Sequence, residues 1–172
     1  MSFRPPTSRS FDAAAAAVGW PLVRAAAVTT LLVAITVCVG GTFAPWLMSG
    51  SVARNSYQLV GALQRFPIIH NTAVVAAIDG WPYLGPALMV PLLLAAFRRW
   101  RWAAAAAILL GVLGLAAAIT ALVVAGTGHF GIELASIGPE IVGCGSALLI
   151  VAGALLLVPD RRDVRMGWQR VG

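Results

Sequence analysis

Few side chains in this sequence could do chemistry, and their spacing narrows what that chemistry would be. His70 and His129 are the two histidines, and both fall outside the long apolar runs, so no pair sits where it would ligate a haem within a membrane. Cys38 and Cys144 are the two cysteines, and they form no Cys-x-x-Cys pair for thiol exchange. There is no glycine-rich phosphate loop, and no two carboxylates share one helix face. Small multidrug exporters depend on a buried carboxylate in their first span, and residues 22–42 contain none. The expectation is therefore no catalytic residue, no cofactor, no metal site and no enzyme. Both cysteines lie near the outer ends of their runs at similar depth. Two packed free thiols are the usual outcome, with a disulfide between the first and fourth runs as the alternative.

The elements that would position these residues belong to a membrane protein. With 60% hydrophobic residues, 10% charged and a mean hydropathy of +0.89, the composition excludes a water-soluble domain. About twenty apolar residues cross about 30 Å of hydrocarbon at 1.5 Å per residue. Four segments meet that length: 22–42, 81–97, 102–125 and 139–158, joined as one integral membrane domain over 1–172. The expected fold is an all-α membrane protein of four transmembrane helices with an amphipathic helix in the first external loop, 43–80. Trp20, Trp46, Trp81, Trp100, Trp102 and Trp168 fall at or near the expected span ends, where an amphipathic indole prefers the headgroup layer.

All twelve basic residues are arginine. Together with frequent alanine runs this points to a GC-rich genome and a bacterium. Arg4, Arg9, Arg24, Arg98, Arg99, Arg101, Arg161, Arg162, Arg165 and Arg170 fall on one side of the four-span pattern. Only Arg54 and Arg65 fall on the other, with Asp79, Glu133 and, at the edge of the last span, Glu140. The positive-inside bias then puts both termini in the cytoplasm and the chain in the bacterial inner membrane. The net charge of +6 reads as attraction to anionic headgroups rather than to nucleic acid, because the arginines sit at span ends.

Ser10 before Phe11, Asp12 and an alanine run predicts a short capped helix along the inner surface, redirected at Pro21. The first run is too long for the core of a secretion signal and is expected to stay as an anchor. In the first external loop Val52, Leu59, Val60, Leu63 and Phe66 recur at helical spacing, with Arg54, Asn55, Gln58 and Arg65 on other faces. That predicts an amphipathic helix of about four turns ended by Pro67. It could cover the span ends, dock a partner or contact lipid. The second external connection is rich in glycine, and Pro139 with Glu140 suits the first turn of the last helix. Glu140 could instead mark the external mouth of a cation passage. Ala107 with Gly111, Gly114 with Ala118 and Gly143 with Ala147 are spaced for close helix approach.

The segment Phe43-Ala44-Pro45-Trp46, then Ser49-Gly50, then Arg54-Asn55-Ser56-Tyr57-Gln58-Leu59, is similar to the first external loop of small four-span membrane proteins of actinobacteria. Mycobacterial members include accessory subunits of MCE-type lipid importers, the lipid uptake coordinators. The resemblance implies a non-catalytic accessory or regulatory subunit whose partners are membrane lipids and permease-type integral membrane subunits. Two other classes stay open: an accessory subunit of a respiratory-chain complex, and a stand-alone lipid-binding membrane protein. Candidate partner or lipid contacts are Trp46, Arg54, Tyr57, Leu59, Leu63 and Phe66.

Overall fold

The structure, a computed structural model, describes residues 8–49, 52–65, 72–125, 135 and 137–158. In chain order these form α1 (Ser8–Phe43), β1 (Leu47–Ser49), β2 (Val52–Arg54), α2 (Ser56–Leu63), α3 (Thr72–Gly80), a 3-10 turn (Trp81–Tyr83), α4 (Leu84–Ala96), α5 (Trp100–Ala125) and α6 (Ile137–Leu157). Four helical stretches are long and apolar enough to cross a membrane: Leu22–Phe43, Ile78–Ala96, Trp100–Val123 and Ile137–Leu157. The expected four-span, all-α membrane architecture is present.

Three local expectations are corrected. The N-terminal segment is no separate surface helix, because α1 runs unbroken through Pro21. A proline inside a helix removes one backbone hydrogen bond and crowds the preceding turn. The alanine-rich stretch around it favours helix strongly enough for the axis to continue. Val52 and Arg54 are not helical, since β1 and β2 form a small antiparallel hairpin with Leu47 opposite Arg54 and Ser49 opposite Val52. Helix α2 is eight residues, about two turns rather than four. Its start is set by Asn55, whose side chain accepts from Gln58 N while Gln58 Oε1 accepts from Asn55 N. Finally, the second span does not start cleanly at Trp81. It is assembled from the end of α3, the 3-10 turn and α4, and α4 alone, at thirteen residues, reaches only about 20 Å.

Helix α6 lies between α1 and α5, with α4 packed on α5 and, more lightly, on α1. The core is stacked in three layers. Ala27, Ala95, Ala103, Ala104 and Leu156 fill one end, beside Trp100. Leu31, Ala34, Ile35, Cys38, Leu88, Ala107, Leu149 and Ala152 fill the middle. Trp46, Ala118 and Val142 fill the other end, against Leu59 and Trp81. The Arg24 guanidinium lies over the Trp100 ring at 5.0 Å, so Arg24 shares one end of the bundle with Arg98, Arg99 and Arg101.

Glycine sets the distance between the helices. A Cβ at Gly145 would meet Cys38 Sγ at 2.7 Å and Cys38 N at 2.8 Å on α1. One at Gly111 would meet Ser146 O at 2.8 Å, and one at Gly153 would meet Ala104 O at 3.0 Å. Ala107, Gly111, Gly114 and Ala118 make one buried stripe of α5 that faces α6. The third expected pair behaves differently: Gly143 is half-buried and Ala147 exposed.

The α4–α5 corner is a Schellman turn, with Arg99 N donating to Leu94 O and Arg98 N to Ala95 O, both at 2.9 Å. Its left-handed position, usually glycine, is held by Arg98 at φ 59°. A charged residue thus occupies a strained site at the arginine-bearing end.

Two substitutions test this packing. Gly145→Leu should destabilise the protein by about 3 kcal/mol or more in detergent unfolding, because backbone lies opposite as well as the buried Cys38 thiol. Gly40→Leu should stay within about 0.5 kcal/mol of wild type, since nothing lies within 4 Å of a Cβ there. Equal stability of the two variants would refute the packing assignment. Arg98→Gly should raise stability by up to about 1 kcal/mol by relieving the left-handed residue, and a loss of stability would show that the Arg98 side chain contributes more than its backbone costs.

Candidate functional site

Several side-chain hydrogen bonds among the described residues gather where α1 ends. A helix leaves its last carbonyls without intrahelical partners, and near the hydrocarbon boundary water is a poor substitute. Here the following residues supply the donors. Ala44 N donates to Gly40 O at 3.1 Å. The Trp46 indole Nε1 donates to Gly41 O at 2.8 Å, and Ser56 Oγ donates to Thr42 O at 2.8 Å. Trp81 Nε1 then donates to Ser56 Oγ at 3.1 Å, which ties the start of the second span to the end of the first. Thr42 Oγ1 turns back to Val39 O at 2.7 Å.

The same turn holds the start of α6. Pro45 O accepts from Gly138 N at 3.0 Å and Trp46 O from Ala135 N at 3.1 Å, while Trp46 N donates to Arg54 O at 2.9 Å. The Trp46 ring lies against Gly138 so closely that a side chain there would occupy the indole's place. Trp46 and Trp81 meet edge to face, their rings 5.5 Å apart and inclined at 76°. The tryptophan expected as an interfacial marker is thus 5% exposed and acts as a clasp between α1, the hairpin and α6.

The other candidate contacts are placed as follows. Leu59 packs inward on the Trp46 layer. The half-buried Tyr57 sits 5.4 Å from the Phe43 ring. Arg54 is exposed and, with Phe43, Pro45, Ala53, Asn55 and Gln58, lines a shallow depression of 210 Å³. Leu63 ends α2. Phe66, together with His70, His129, Glu133 and the C-terminal arginines, lies outside the described residues. Sequence reasoning missed Ser56, Thr42 and Gly138, although Asn55 followed by Gln58 three residues later is a helix-start signature that places Ser56 at the helix entrance.

Reactive groups in the bundle are accounted for. Cys38 is buried, 3.9 Å from Ser146 Oγ, whereas Cys144 is exposed on another face of α6, so the two thiols are free and the disulfide alternative is set aside. Glu140 is exposed in the first turn of α6, where the helix dipole favours its charge. No protein-family model, curated protein or solved structure matches the chain.

Ser56→Ala should strand the Trp81 indole and the Thr42 carbonyl together, lowering unfolding free energy in detergent by about 2 kcal/mol. Unchanged stability would mean that the hydroxyl does not join the two spans.

Proposed function

We propose that this chain is a non-catalytic accessory subunit of a larger membrane assembly, an MCE-type lipid importer, in the inner membrane of a bacterium. The observation that supports this most is the division of its surface. The interior packs small residues around a few large ones such as Leu31 and Leu149, while large apolar side chains such as Leu109, Val112, Leu113, Ile119 and Val123 project outward from α5. A bundle built this way contributes shape, and its outward faces are suited to lipid or to other membrane helices. The likeness of Phe43–Trp46, Ser49–Gly50 and Arg54–Leu59 to the first external loop of small four-span actinobacterial membrane proteins, importer accessory subunits among them, favours that partner. The positive-inside bias puts the Arg24, Arg98, Arg99 and Arg101 end in the cytoplasm, with the tryptophan clasp outside.

Purification of the tagged full chain from native membranes in mild detergent tests the proposal. The expected result is stable co-purification with a permease and MCE proteins. Recovery with oxidase subunits would assign it to the respiratory chain instead, and recovery as a lone chain carrying lipid would make it a stand-alone lipid-binding protein. Either outcome would overturn the importer reading.

A further inference from the structure

We infer that the depression beside the clasp is a binding site for the phosphate of an anionic phospholipid, with one acyl chain lying along α1. This inference is independent of which complex the chain joins.

The site follows from the capping geometry. Asn55 and Gln58 commit their side-chain oxygens to each other's backbone N–H, at 2.9 Å for Asn55 Oδ1 and 3.2 Å for Gln58 Oε1. Each side chain therefore keeps its NH2 group as a donor only. Both line the depression with Arg54, whose five N–H donors suit a phosphate. Among the described residues no carboxylate lines it and no ion pair engages Arg54. One cation and two side-chain amides thus line one small space, with both amide oxygens already bonded to backbone N–H groups. The nearby start of α2 adds a field of the same sign.

Its position selects a lipid over a soluble anion. Phe43, which also lines the depression, is the last residue of the first span and is 61% exposed. Below it the outward face of α1 continues through Gly40, Thr36, Val33 and Leu32, all exposed. Thr36 hides its hydroxyl by donating to Leu32 O at 3.0 Å, leaving a methyl outward. Gly40 forms a notch one turn below Phe43, with nothing within 4 Å of where a Cβ would stand. A phosphate donor set above a notched apolar stripe matches the two halves of one phospholipid.

Native mass spectrometry of the full chain, extracted from nanodiscs of mixed phosphatidylglycerol and phosphatidylcholine, tests this. Wild type should retain one phosphatidylglycerol in preference to phosphatidylcholine. Arg54→Ala should reduce that occupancy about fivefold, with Arg54→Lys intermediate and Arg65→Ala unchanged. Gly40→Leu, which leaves the donors in place, should weaken retention by filling the notch, and circular dichroism of each variant confirms that it is folded. Excess inorganic phosphate should not displace the lipid. Displacement by phosphate would make the ligand a free anion, and equal retention by Arg54→Ala, or absence of headgroup preference, would overturn the site.

Discussion

The bundle depends on how closely α6 approaches α1 and α5. In lipid no hydrophobic force drives helices together, because the surrounding tails are as apolar as leucine, so association relies on contact area and short-range packing. Gly145 brings the α6 backbone against Cys38 and Ala34 O, while Gly111 and Gly153 bring α5 and α6 backbones together. Larger residues at these points would separate the helices and forfeit dispersion contacts along the whole interface. With α6 held on both sides, α4 needs only lighter contacts to complete the fourth span.

The clasp is a consequence of that approach. Because α6 lies against α1, the entrance of one helix and the exit of the other come within reach of the same short turn, Ala44 to Trp46. That turn meets two needs at once: it satisfies α1's last carbonyls and holds the start of α6 through Ala135 and Gly138. Trp46 is the only side chain type that could both donate from its ring and fill the space over a glycine at this size. The hairpin and α2 then close over the clasp, and Arg54, Asn55 and Gln58 line the depression beside it.

The four spans were legible because bilayer thickness imposes a length that alternative structures do not share. Arginine clustering was legible for a similar reason, and the structure gathers Arg24 with the α4–α5 corner at one end. The glycines that matter were harder to find, since small residues are frequent throughout and spacing alone does not say which face meets a neighbour. Ala107 with Gly111 and Gly114 with Ala118 were picked out, yet Gly145 and Gly153 were not. Between the first two spans, Val52 fell at helical spacing with Leu59 by coincidence, since Val52 is in β2 and Leu59 in α2. The hairpin depends on pairing across a turn and on Trp46, which no single-face periodicity reports. The donor-lined depression was invisible because it exists only once the capping box has consumed the oxygens of Asn55 and Gln58.

We propose that the chain supplies shape to an assembly, with the outward apolar face of α5 covered by other membrane helices. Photo-crosslinking in living cells from a benzophenone residue placed at Leu113, on the exposed face of α5, tests that most directly. The account predicts a discrete adduct whose peptides include a transmembrane helix of an importer permease. Crosslinking to lipid alone from Leu113 and from equivalent positions on α4 would contradict it.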